Sequence, residues 1–247
     1  MSRRRFYAQP TDINGSFVSL SKEETHHLVH VLRLKPGGEV FVFDGCGAEY
    51  RCSFRAENRS RAQLEVIEPL LDLVESPVRL TLAQSLAKSD KFDLIVQKAT
   101  ELGVSRIVPL TTERAHGRLN QDQGDKRLDR WRRISLEALK QCGRRRLVEV
   151  TEPITIGTLT EAKDSGFLLV FTEKGGTSIA AALRQVGSLG AITALIGPEG
   201  GWSAAELTFL EGRGATAVSL GPRILRTETA AVVAIALIQH WIGDLSN

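Results

Sequence analysis

Two hydrophobic rhythms run along this chain, and one gives way to the other near Leu71–Pro77. Before that point apolar and polar positions mostly alternate. Glu39–Asp44 and Ala48–Phe54 read as strands around the turn Gly45-Cys46-Gly47, and Gln63–Ile67 adds another. Thr25–Leu34 carries Leu28, Val31 and Leu32 at helical spacing, and Pro36-Gly37-Gly38 ends that helix. Residues 1–72 therefore read as a small β-barrel with one short helix. From 73 to 247 strands and helices take turns. Strands are expected at Val78–Ala83, Val104–Leu110, Val148–Val150, Phe167–Phe171, Ala191–Ile196 and Ala215–Leu220. Asp90–Leu102 is a helix with Phe92, Ile95, Val96, Ala99 and Leu102 on one face, Ser89 as its N-cap and Gly103 as its C-cap. Further helices are expected at Arg127–Cys142, Thr177–Val186, Ala204–Arg213 and Ala230–Trp241. Repeated strand–helix units imply an α/β domain with a mostly parallel sheet covered on both faces. The last helix is apolar nearly all round, so it is buried centrally or against a second subunit; we expect a dimer.

Two strand-to-helix connections stand out, Ile196-Gly-Pro-Glu-Gly-Gly-Trp-Ser203 and Leu220-Gly-Pro-Arg-Ile-Leu-Arg-Thr-Glu-Thr-Ala230. Open α/β sheets bind ligands at the carboxyl ends of their strands, and glycine leaves the backbone there bare. Ser203-Ala-Ala-Glu206 fits a capping box, which fixes 197–202 as the loop before a helix. Alone, the first segment reads equally as a tight turn, and Glu199 as a solvated carboxylate. The second is harder to read so plainly. Thr227 can cap the final helix and Glu228 suits its positive end, but Arg223 and Arg226 share the same loop.

Composition adds limits. The chain has 247 residues, 42% hydrophobic and 25% charged, with net charge +3; this is an ordinary globular balance. Charge is uneven, with eleven Lys or Arg against five Asp or Glu between Glu113 and Arg146. Such a run is commonly a solvated helix face, although Arg144-Arg145-Arg146 just after the helix suits phosphate contact. Cys46, Cys52 and Cys142 lack CxxC spacing, and His26, His27 and His30 have no partner set, so no metal site is expected. Gly45-x-Gly47 is followed by a strand pattern, which rules out a dinucleotide fingerprint. The basic N-terminus has no apolar region behind it, and Ala230–Ile238 is too short to span a bilayer. A cytoplasmic protein with no membrane role is expected.

The two connections together resemble the 16S ribosomal RNA uracil-N3 methyltransferase family of the SPOUT superfamily. The likeness extends through Lys91-Phe-Asp-Leu-Ile-Val-Gln-Lys-Ala-Thr-Glu-Leu-Gly103, Glu113-Arg114, Arg130-Trp131, Glu137–Arg144 and the Arg-Arg-Phe-Tyr opening, essentially the whole chain. Three local departures are Trp202 in place of the more usual Phe, Glu113-Arg114-Ala115-His116 without a following Ser, and Gln141-Cys142 in place of Gln-Ser. The resemblance implies an N-terminal PUA-like barrel that helps hold RNA and a C-terminal domain tied in a deep trefoil knot. It further implies S-adenosylmethionine as methyl donor, a homodimer, and 16S rRNA of the small ribosomal subunit as substrate, methylated as m3U1498. The cofactor contacts it implies are Thr172, Ile196, Gly197, Glu199, Gly200, Gly201, Leu220, Gly221, Ile224, Leu225 and Thr227.

Uracil N3 is protonated at neutral pH and becomes nucleophilic only as that proton leaves. Catalysis then needs a base, a cation near O2 and O4, or both. Arg226 is our candidate cation, and Glu228 or Glu199 the candidate base. Arg3, Arg4, Arg5, Arg114, Arg144, Arg145 and Arg146 are candidate phosphate contacts. Two other readings stand beside this one. A related SPOUT enzyme would methylate a ribose 2′-hydroxyl of rRNA or tRNA, but its last motif usually carries Asn followed by Ser and Val, where this chain has Thr227-Glu-Thr-Ala230. A non-catalytic RNA-binding assembly factor would keep the pocket without turnover.

Overall fold

The computed structural model describes residues 3–71, 75–115, 121–162, 164–186 and 190–246, the side chains of 121–123 excepted. The chain divides into two compact units. The first comprises residues 1–75 and 139–147, and the second 76–138 and 148–247. The division near residue 72 expected from the rhythm change misses the return of residues 139–147 to the first unit. Residues 72–74 themselves lie outside the described residues.

In the first unit, the strands are β1 (Arg5–Tyr7), β2 (Ile13–Asn14), β3 (Phe17–Ser19), β4 (Glu39–Phe43), β5 (Glu49–Asn58) and β6 (Arg61–Leu70). They form one sheet in the order β1-β4-β5-β6-β3-β2, with β1–β4 its parallel pair. That path is open among the described residues, so the expected barrel is a curled sheet. Two register breaks between β5 and β6, at Arg51/Cys52 and Phe54/Ala56, supply bends of the kind that bulges impose. Alternation along β4 and β5 sends Val40, Val42, Cys52 and Phe54 inward, where they pack with Phe6, Val18, Leu28 and Leu64. The helix expected over Thr25–Leu34 starts earlier, as α1 (Lys22–His26), because Ser21 Oγ accepts from Glu24 N. A wider π-type turn, His27–Val31, finishes it.

The second unit holds β7 (Leu80–Ser85), α2 (Ser89–Glu101), β8 (Arg106–Thr111), α3 (Gln121–Cys142, whose end joins the first unit), β9 (Glu149–Val150), β10 (Ile154–Thr155) and α4 (Ile156–Glu161). It continues with β11 (Phe167–Thr172), β12 (Thr177–Ser178), α5 (Ile179–Leu183), β13 (Ile192–Ile196), α6 (Ala204–Gly212), β14 (Thr216–Ser219) and α7 (Thr227–Ile242). All its strand pairs are parallel, in the order β10-β8-β7-β13-β11-β14-β12 with β9 beside β8. β13 is buried at every position, as a strand covered on both faces must be. One face packs Leu80, Leu82, Phe92, Ile95, Trp131 and Ile235, the other Ala83, Val108, Val170, Leu195 and Leu210. The central strands thus end side by side, and the two glycine-bearing connections leave from β13 and β14.

Several sequence expectations shift. Lys88, not Ser89, occupies the N-cap of α2, and Gly103 follows its end at φ +86°. The single helix expected over Thr177–Val186 is the short β12 followed by α5. Thr227 does not cap α7: Arg226 holds that position, and the Thr227 hydroxyl points elsewhere. Within the loop expected over 111–124, residues 116–120, His116 among them, lie outside the described residues, and α3 begins at Gln121. No described helix is long and apolar enough to cross a membrane, and no group of His, Cys, Asp and Glu among the described residues could hold a metal.

Candidate active site

The connection after β13 is held in shape by its own sequence. Ser203 Oγ accepts from Glu206 N at 3.2 Å, while Glu206 Oε2 accepts from Ser203 N at 2.9 Å, the reciprocal box read from the sequence. Glu206 uses its other oxygen to accept from Glu113 N at 2.8 Å, and Arg114 donates to the carbonyls of Gly200 and Trp202 at 3.0 and 3.4 Å. Trp202 turns under the loop, 8% exposed, and its Nε1 donates to Phe171 O at 3.0 Å. A Cβ on Gly197 would stand 3.0 Å from that same nitrogen, and Gly201 sits at φ +68°. Both positions therefore favour glycine, one for space and one for conformation.

Thr227 ties the two connections together. Its hydroxyl donates to Gly197 O at 2.9 Å and accepts from Gln84 Nε2 at 3.0 Å. Gln84 is wholly buried at the end of β7, directly beside Ile196. The result is a cleft of about 570 Å³ at the carboxyl ends of the parallel strands, within the size range of small-molecule sites. Every cofactor contact implied by the resemblance lines it: Thr172, Ile196, Gly197, Glu199, Gly200, Gly201, Leu220, Gly221, Ile224, Leu225 and Thr227. Phe171, Trp202, Leu207 and Ala230 give its wall apolar area, and Glu173, Lys174 and Arg223 its charge.

The catalytic candidates separate. Arg226 lines the cleft, exposed at the head of α7, with no ion pair among the described residues. Glu199 also lines it and accepts from Lys91 Nζ. Glu228 is not on the lining. Its Oε2 is buried without a hydrogen-bond partner among the described residues, 3.9 Å from Lys91 Nζ. Lys91, absent from the sequence candidates, is thus common to both carboxylates. Its hydrogen bond to Glu199, reinforced by the charge of Glu228, raises its pKa above the ordinary lysine value. Its placement carried a signal. Lys91 lies in the first turn of α2, where the helix dipole disfavours a cation, so its position is not explained by its own helix.

The arginine candidates divide as well, and three need correction. Arg5 is 7%, Arg144 6% and Arg145 4% exposed. Glu49 accepts from Arg5 Nε at 2.6 Å and from Arg145 Nε at 3.0 Å, while Glu75 accepts from Arg144 Nε at 3.0 Å. Arg145 also donates to Leu70 O, and Arg5 to Arg144 O, both at 2.9 Å. These guanidiniums are consumed inside the first unit and are withdrawn as phosphate contacts. Arg3, Arg4 and Arg146 are exposed there, and Arg114 is exposed in the second unit beside the cleft.

Known proteins bear on this geometry. A family profile described as RNA methyltransferase domain matches residues 74–239, and one described as RNA methyltransferase PUA domain matches 20–67. Ribosomal RNA small subunit methyltransferase E of Synechocystis is 35% identical over 237 residues, 95% of this chain and 76% of the relative. The Bacillus subtilis protein of that name is 31% identical over 228 residues, 90% and 89% of the two chains. The crystal structure of ribosomal RNA small subunit methyltransferase E from Neisseria gonorrhoeae, bound to S-adenosyl methionine, matches with TM-score 0.88 at 33% identity, over 98% of this chain and 99% of that one. Similarity of this extent means that the chain belongs to the ribosomal RNA small subunit methyltransferase E family.

Proposed function

We propose that the protein transfers a methyl group from S-adenosylmethionine to N3 of a single uracil of 16S rRNA in the small ribosomal subunit, giving m3U1498. The observation that carries this reading is the convergence of both glycine-bearing connections, with Glu199, Lys91 and Arg226, on one cleft.

The donor fits that cleft by chemistry. Apolar walls at Phe171, Ile196, Leu220 and Leu225 suit an adenine ring, the bare backbone at Gly197, Gly200 and Gly201 offers peptide groups to polar atoms, and Glu173 and Lys174 bring charge for an amino acid moiety. When bound, S-adenosylmethionine supplies an electrophilic methyl carbon on a sulfonium, and its sulfur keeps the electron pair as the C–S bond breaks. The chain's residues manage the rest. A carboxylate, Glu199 on the wall or Glu228 behind it, takes the N3 proton as the N3 lone pair forms the new N–C bond. Arg226 faces the negative charge that spreads onto the uracil carbonyls. The target base has to leave its stack to enter the cleft.

Arg3, Arg4, Arg114 and Arg146 remain as phosphate contacts in this reading, so RNA affinity should fall as salt rises. A homodimer through the second unit is part of the same proposal, supported by the apolar side chain that the last turn of α7 leaves uncovered, Trp241 being 50% exposed. The trefoil knot and the cytoplasmic location belong with the family reading.

The test is methyl transfer from labelled S-adenosylmethionine to small subunits lacking the mark, followed by nucleoside mass spectrometry. One 3-methyluridine per subunit is the expected product. A 2′-O-methylated nucleoside would move the chain to ribose chemistry, and cofactor binding without any product would leave an assembly factor.

A further inference from the structure

Uracil presents its N3 edge as acceptor, donor, acceptor: O4, N3–H, O2. A site that reads this edge and draws charge from it needs the opposite order, donor, acceptor, donor, with cations as the outer pair. The cleft lining holds such a set. Lys91 comes from α2, Glu199 from the connection after β13, and Arg226 from the head of α7. Lys91 and Glu199 are already hydrogen-bonded, and the Arg226 charge is close enough to act on Lys91. An ammonium has three donors; Lys91 makes no other hydrogen bond among the described residues, so it keeps donors for a ligand.

Two other features carry less. The exposed rings of His26 and His30 lie tilted with centroids 4.9 Å apart, and no group of His, Cys, Asp and Glu among the described residues could hold a metal. The orphaned Gln84 Oε1 is buried beneath the connections, and Gln84 is not on the cleft lining.

We propose that Lys91 is a catalytic and specificity-determining residue that donates to one carbonyl of the target uracil while Arg226 donates to the other. This rests on the reading above of uracil N3 as the reacting atom. As the N3 proton passes to carboxylate, the negative charge left on N3, O2 and O4 lies between two cations, and it disappears when the lone pair forms the N–C bond. Cytosine turns an amino donor toward one of these cations and offers an unprotonated N3 to Glu199, so the same trio rejects it. Glu228, 3.9 Å from Lys91 behind the wall, keeps a counter-charge on the ammonium when the base displaces Glu199 from it.

The experiment compares Lys91→Met, Lys91→Gln and Lys91→Arg in the full chain, with kcat on unmodified subunits, calorimetric affinity for S-adenosylmethionine and thermal midpoint measured for each. We expect kcat to fall about 100-fold in the Met and Gln variants, cofactor affinity to stay within about threefold, and Lys91→Arg to recover at least about tenfold of the lost turnover. Unchanged kcat in a folded variant overturns the assignment. Parallel loss of kcat and cofactor affinity, or a fall in thermal midpoint shared by Lys91→Arg, also overturns it, because Lys91 would then only fasten the loop to α2. Wild-type protein that makes no 3-methyluridine fails the functional reading itself, separately from any Lys91 variant.

Discussion

Each unit gathers arginine or lysine around glutamate, and the two clusters differ in what they leave unsatisfied. In the first unit Arg5, Arg145 and Glu49 are almost sealed from water, with side chains 4%, 4% and 2% exposed, and both carboxylate oxygens are taken. In the second unit Lys91 and Glu199 are about a quarter exposed, Arg226 is exposed on the cleft lining, and one oxygen of Glu228 has no hydrogen bond among the described residues. The same residue types therefore do opposite things. A closed network has spent its charge on the fold, because a buried ion pair returns its desolvation cost only when every group is matched. An open one keeps charge available for a substrate.

The contrast can be broken from the closed side first. Glu49→Ala leaves two buried guanidiniums without their carboxylate and should cost about 3–5 kcal/mol, read as faster hydrogen exchange across β4, β5 and β6. A loss below about 1 kcal/mol would show that water reaches the network. From the open side, Arg226→Ala should lower kcat by about 100- to 1000-fold, some 3–4 kcal/mol of transition-state stabilisation, while cofactor affinity changes little. Equal losses in both would make Arg226 a binding residue. Thr227→Val removes the hydroxyl between Gly197 O and the buried Gln84 amide, at a cost of about 1–3 kcal/mol. It should lower the thermal midpoint by several degrees and weaken cofactor binding, since the two connections lose their tie. The smallest effect concerns thiols. Burial pushes the Cys52 pKa up to about 12, whereas Cys46 is exposed; a thiol reagent at neutral pH should label Cys46 and spare Cys52 until the first unit opens.

What the sequence made legible was local. The capping box needs only Ser203 and Glu206 three residues apart, and it is present with both bonds. The parallel sheet followed from β11, β13 and β14 as apolar runs between helical ones. The roles of Arg5, Arg144 and Arg145 were not legible, because a run of arginines looks the same whether it faces phosphate or a glutamate brought in from residue 49 or 75. β1 escaped notice for a related reason. At three residues it is too short to show a period, and only pairing with β4 defines it. Lys91 was not read as a site residue, because the apolar face of Phe92, Ile95, Val96 and Ala99 was enough to define its helix.

The return of residues 139–147 to the first unit has a consequence for how the protein is made. A nascent chain that has reached residue 75 carries the whole curled sheet yet lacks Arg145, half of the charge that Glu49 is buried against. At ordinary elongation rates the missing segment arrives roughly ten seconds later, after much of the second unit's first half has left the ribosome. The N-terminal unit therefore cannot close as an independent first step of synthesis. Its completion waits on sequence from the middle of the chain, and a gene fragment cut at the apparent domain boundary would encode a sheet whose buried Glu49 meets Arg5 but lacks its second guanidinium, that of Arg145.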